Sequence, residues 1–151
     1  MRRLGAGVQG SGQKAATPPA NAAAKFGFEE VTGWLTKAAE LVPADKYTYR
    51  PVGTVRTFGE LMAHAVDGMN WYCGSAKVAK DLQWSDAVEK GGTDKAKVMA
   101  ALKTATSGCA AAYASPTARI DRLMGNLTHS NLHYGNAIVY LRMLGLKPPS
   151  S

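Results

Sequence analysis

The amino-acid sequence predicts an all-α protein that folds as one four-helix bundle. Three observations support this fold class. Apolar residues recur at helical spacing in four segments, no segment alternates as a half-buried strand does, and capping residues, glycines and prolines bound the segments. A chain of 151 residues also has the size of one domain. We therefore expect a helical domain over residues 23–151, preceded by a flexible tail over residues 1–22.

Clear start and stop signals bound the first two helices. The first helix begins near Ala23 and is stopped by Pro43. The second begins at Thr57, which forms a capping-box pattern with Glu60, and extends to about residue 80. The apolar positions of these two helices are Val31, Trp34, Leu35, Ala38 and Leu41, followed by Phe58, Leu61, Met62, Ala65, Met69, Tyr72 and Ala76.

The second half of the chain predicts two more helices after a long connection. Residues 81–93 have no apolar periodicity and contain two adjacent glycines, so we expect them to form a loop. The third helix covers residues 94–114, with Val98, Leu102, Ala105 and Cys109 on its buried side. Ser115 and Pro116 suit the cap and first turn of a fourth helix, which ends at Leu144 before a glycine.

The charge distribution argues against a nucleic-acid or membrane function. The formal net charge is +7, but the basic residues of the domain alternate with acidic ones and form no dense run among aromatics. No apolar run approaches the length of a membrane span. Residues 1–22 lack the apolar segment of an intact export signal, so we expect a cytoplasmic protein; the alternative is an exported protein with a missing or truncated signal.

The three histidines are the candidate functional residues. His129 and His133 stand four residues apart in HSNLH, which places both imidazoles on one side of a helix. His64, from the second helix, would face them across the bundle. Three neutral imidazoles leave at least one coordination position open, as in catalytic metal sites. Zinc and nickel suit these ligands best, and iron, cobalt and manganese are alternatives. In the competing interpretation the histidines are ordinary polar groups beside the core.

Two segments of the sequence together resemble the DinB-like family, also called the DinB/YfiT metalloenzyme family. They are WLTKAAELVPADKYTYRPVGTVRTFGELMAHAV and HSNLHYGNAIVYLRMLGLKPPSS, and the resemblance covers residues 24–151. It implies metal-ligating histidines at positions 64, 129 and 133. It also implies an up-down-down-up bundle whose second and third helices are parallel.

The two cysteines bear on that topology. In parallel helices, Cys73 and Cys109 would differ in height by only about 1.5 Å, whereas an antiparallel hairpin would separate them by roughly 13 Å. A disulfide is therefore feasible only in the parallel arrangement. Without an export signal, we slightly favour two reduced, buried thiols.

The leading functional hypothesis is a metal-dependent enzyme acting on a small molecule. The resemblance implies thiol-dependent transferases and isomerases that use low-molecular-weight thiols, and a hydrolase is a further alternative. No acidic residue follows a histidine as in HEXXH, so a protease-like base is not apparent. The rival hypotheses are a non-catalytic, stress-related metal-binding bundle and a metal-free interaction bundle. Self-association into a homodimer is left open.

Overall fold

The computed structural model describes residues 20–151, and every regular element in this range is helical. The long helices are α1 (Ala20–Leu41), α2 (Phe58–Ala76), α4 (Lys95–Ala114) and α5 (Ile120–Met143). A five-residue helix, α3 (Ala87–Gly91), and a 3-10 turn, Ala44–Lys46, lie in the connections. The predicted all-α class with four substantial helices is confirmed. Residues 1–19 of the predicted tail lie outside the described range, and α1 begins at Ala20, three residues earlier than expected.

Contacts at the helix ends set the directions of the first and last helices. Lys95, at the start of α4, donates hydrogen bonds to the backbone oxygens of Glu40 and Val42 at the end of α1, at 2.6 and 2.8 Å. The backbone N–H of Arg119, just before α5, donates to the oxygen of Ala76 at the end of α2, at 2.8 Å. Helix α1 is therefore antiparallel to α4, and α5 is antiparallel to α2.

Helices α2 and α4 run parallel. Gly59, at the start of α2, lies against the backbone of Thr93, just before α4. Fourteen residues after Gly59 and sixteen after Thr93, near the end of both helices, Cys73 and Cys109 form a disulfide with a Cα–Cα distance of 5.1 Å. The preference for two reduced thiols was therefore wrong. Sequence spacing places the two cysteines at similar heights along α2 and α4, but it carries no information about their oxidation state.

Apolar side chains from all four long helices fill the core. The predicted core positions of α2 are buried except for Tyr72, which is half-buried, and all four of α4 are buried. Leu41 was expected in the core but is exposed at the end of α1. The largest fully buried side chains are Tyr47, Tyr113, Phe28, Phe58, Leu35, Met62, Met69, Leu102, Leu123 and Leu141.

The start of α2 matches the sequence prediction. The Thr57 hydroxyl accepts a hydrogen bond from the Glu60 backbone N–H, while the Glu60 carboxylate accepts one from the Thr57 N–H. This reciprocal pair satisfies two donors that the first helical turn leaves free. The cap fixes where α2 begins, and with it the position of His64 two turns later.

Two helix boundaries differ from the predictions. Helix α2 ends at Ala76 and not near residue 80, and the Ser75 hydroxyl accepts from the Leu82 N–H in the turn that follows. The final helix begins at Ile120, so Ser115 and Pro116 do not start it. Arg119 replaces them as the N-cap, and its side chain pairs with Asp81 at 2.7 Å. Tertiary contacts outweigh local capping preference at both boundaries.

Candidate metal centre

The structure brings the three histidines together between α2 and α5. One ring nitrogen can be chosen from each histidine so that the three nitrogen atoms lie within 4.8 Å of one another. The centroid of the His64 ring lies 5.3 Å from the centroid of the His129 ring and 4.7 Å from that of the His133 ring. His133 is buried, and the other two are half-buried. Such a cluster can hold a metal ion.

The pair on α5 has the spacing that a shared ion requires. The Nε2 atoms of His129 and His133 lie 3.1 Å apart and face each other. With metal–nitrogen bonds of about 2.0–2.1 Å, two ligand nitrogens stand about 2.9 Å apart at a right angle and about 3.4 Å apart at the tetrahedral angle. The observed distance falls between these values. This distance is compatible with both nitrogens ligating one metal ion.

The electrostatic environment keeps the imidazoles neutral. Burial, with smaller contributions from the neighbouring histidines of the cluster and from Arg56, lowers the pKa of His129 to about 4 and that of His133 to about 4. Burial, followed by the charge of Arg56, also lowers the pKa of His64. Since only neutral imidazole can ligate a metal, the cluster is ready to bind one at neutral pH.

The cluster also carries unsatisfied polar atoms. The Nδ1 atoms of His64, His129 and His133 are buried and have no hydrogen-bond partner within residues 20–151. A buried polar atom without a partner costs about 1–3 kcal/mol. A cluster built only for stability would not accumulate three such atoms, so they support a binding role for this part of the bundle.

A glycine makes room for one of the rings. A Cβ atom at Gly68, one turn after His64 on α2, would overlap the His129 imidazole. The absence of a side chain there lets α5 place its ring directly against α2. Aromatic side chains complete the surroundings, because Tyr72 lies 5.7 Å from the His129 ring and Trp84 lies 5.7 Å from the His64 ring, centroid to centroid.

Helix α3 contributes a carboxylate that the sequence did not predict. Oε2 of Glu89 lies 3.5 Å from Nδ1 of His64. Oε1 of the same carboxylate accepts a hydrogen bond from Nε of Arg56 at 2.8 Å. Glu89 was missed because it lies 25 residues after His64, in a segment without periodicity. No local signal marks it, and only the fold brings it to the histidines.

A cleft of about 450 Å³ opens beside the cluster, between residues 51–56 and α5. This volume is in the range of small-molecule sites. His133 forms part of its wall, and Arg56 is the charged residue of its lining. The remaining lining is largely apolar: Pro51, Val52, Thr54, Val55, Leu61, Asn136, Val139 and Tyr140.

No protein-family model matches this chain, and neither a curated protein nor a solved structure shows significant similarity to it. The geometry of the histidine site is therefore the basis for inferring a function. Within residues 20–151, none of the helices combines the length and apolar character needed to cross a membrane.

Proposed function

We propose that the chain binds one divalent metal ion through His64, His129 and His133, and that it is a metal-dependent enzyme of the DinB-like type. The observation that carries the proposal is the convergence of three neutral imidazoles, two with Nε2 atoms 3.1 Å apart. Zinc and nickel suit an all-nitrogen ligand set best, with iron, cobalt and manganese as alternatives.

The cleft supports an enzymatic role over simple metal storage. Three protein ligands leave a coordination position for water or substrate. A bound divalent ion lowers the pKa of a coordinated water or thiol, which supplies a nucleophile at neutral pH. The chain's own residues would hold a small molecule beside that position, with His133 in the cleft wall and apolar side chains excluding water. A low-molecular-weight thiol is the proposed substrate or co-substrate.

Metal titration tests the first part of the proposal. Protein stripped with a chelator should bind one equivalent of Zn²⁺ or Ni²⁺, and binding should raise the melting temperature. Each of the variants H64A, H129A and H133A should remain folded and lose at least about 100-fold in affinity, because two imidazoles make a poor site. Asp45→Ala, which removes an exposed carboxylate in the 3-10 turn, is the control and should bind like wild type. Full-strength binding by H64A would eliminate the three-histidine site.

Turnover tests the second part. Metal-loaded protein should consume a thiol such as glutathione or cysteine in the presence of a chromogenic electrophile. A chelator should stop the reaction and added metal should restore it. Stoichiometric metal binding without turnover across a panel of thiols would instead favour the non-catalytic metal-binding alternative.

The disulfide supports the alternative compartment. Disulfides persist in oxidising environments and are rare in the cytosol of mesophiles. We therefore propose that the protein works in an oxidising compartment, in place of the cytoplasmic location expected from the sequence. Thiol labelling of the protein taken from its native cells, under denaturing conditions, should find Cys73 and Cys109 blocked.

A further inference from the structure

The outer surroundings of His64 are unlike those of the other two histidines. Its Nδ1 faces a carboxylate oxygen of Glu89 at 3.5 Å, a distance slightly longer than a hydrogen bond. Within residues 20–151, no carboxylate lies in ion-pair range of a ring nitrogen of His129 or His133, whereas Glu89 does so for His64. Glu89 therefore lies beside His64, the proposed ligand on α2, and not beside His129 and His133, the pair on α5.

Glu89 is held in place from two directions. On its far side, Arg56 donates from Nε to Oε1 at 2.8 Å, and its Nη2 lies 3.5 Å from Oε2. At its backbone, the N–H groups of Val88 and Glu89 donate to the two carboxylate oxygens of Asp67, each at 3.0 Å. These N–H groups belong to the first turn of α3, where no helical partner exists for them.

Asp67 thus caps α3 from a neighbouring helix. It lies on α2, three residues after His64, and is buried with 3% of its surface exposed. The residue at the N-cap position, Asp86, makes no capping hydrogen bond of its own. One segment of α2 therefore carries both His64 and the group that anchors the helix bearing Glu89, so the relative position of the two is fixed.

We propose that Glu89 is a positioning residue for His64: its carboxylate accepts the Nδ1 proton, which orients the ring and leaves Nε2 free to ligate the ion. This inference rests on the proposed metal site. Ligating histidines generally donate their second ring N–H to an oxygen, and loss of that oxygen reduces metal affinity about 10- to 100-fold. A side-chain rotation that shortens the contact by about 0.6 Å gives an ordinary hydrogen bond.

The test compares Co²⁺ binding by wild type, E89A and E89Q. Glu89→Ala should weaken binding about 10- to 100-fold and change the Co²⁺ absorption spectrum. Glu89→Gln keeps an acceptor oxygen and should recover most of the loss, which a merely structural role would not predict. Glu29→Ala removes an exposed carboxylate on α1 and should stay within about twofold of wild type, as expected for a residue paired only with Lys25 on the same helix. If E89A does not fold, the Co²⁺ affinities of E89L, which lacks an acceptor oxygen, and E89Q, which keeps one, give the same comparison.

A double-mutant cycle separates positioning from simple charge balance. If Glu89 acted only by neutralising Arg56, then E89A would have no effect in the background of R56M. Positioning through His64 predicts that the loss persists there. Failure of wild type to bind Co²⁺ would overturn the metal site itself. If H64A weakens Co²⁺ binding as expected while E89A binds Co²⁺ like wild type, only the proposed role of Glu89 is overturned.

Discussion

The two faces of α2 are built on different principles. Toward α4, Cys73 and Cys109 form a buried disulfide. Toward α5, the helix presents His64 and the bare backbone of Gly68, and the three histidines there hold buried nitrogen atoms without partners. One face is cross-linked and apolar, whereas the other keeps polar groups unsatisfied. The contrast shows one helix serving stability on one side and ligand binding on the other.

The largest expected effect concerns the cross-linked face. The disulfide closes a loop with a sequence separation of 36 residues, for which the chain-entropy relation gives a stabilisation of about 4 kcal/mol. The double variant C73A/C109A should therefore lower the free energy of unfolding by about this amount in urea. If the two faces are independent, its affinity for Zn²⁺ should stay within about threefold of wild type at a temperature where it is folded. A large loss of metal affinity would show that the faces are coupled.

The next prediction concerns pH and the histidine face. The pKa of His129 and of His133 is about 4 in the folded protein, below the value of about 6.5 in the unfolded chain. Between these values the unfolded chain binds more protons, so the metal-free protein should be fully stabilised above pH 6.5 and lose stability as pH falls toward 4.

Urea denaturation at pH 7.5, 5.5 and 4.5 measures this loss, and H129A/H133A is the control because it lacks both groups. Metal binding should also persist below pH 6.5, since the rings stay neutral there. Constant stability from pH 7.5 to 4.5 would contradict the assigned environment.

The smallest effects come from a matched pair of glycines. Gly135, on α5, has open space where a Cβ would lie, so Gly135→Ala should stabilise the helix by about 0.5–1 kcal/mol. Gly68→Ala places its methyl group in the His129 ring, so that ring must move. G68A should gain no such stability and should bind Zn²⁺ about tenfold more weakly. Thermal melts and metal titration of both variants check this, and identical behaviour would argue against close packing at Gly68.

The fold was predictable from local signals and the site only in part. The capping box at Thr57 and the apolar spacing of α2 and α4 identified these helices because both features depend on residues within one or two turns. His129 and His133 were found for the same reason, since four residues separate them. Helix α3 was missed because it is five residues long and its N-terminus is capped by Asp67, a residue about 20 positions earlier. Glu89 lies on α3 and was missed for the same reason.

The parallel arrangement of α2 and α4 requires the chain to travel back along the bundle between them. Residues 77–94 make this return, and the same stretch carries Trp84 and Glu89 to the edge of the histidine cluster. None of the residues of α3 is buried in the core. The segment is instead tied to the bundle by polar contacts, because Asp81 pairs with Arg119 and the backbone of α3 donates to the buried carboxylate of Asp67. Substitution of the side chains of Trp84 and Glu89 would therefore change the surroundings of His64 while these backbone anchors and the four long helices stay the same.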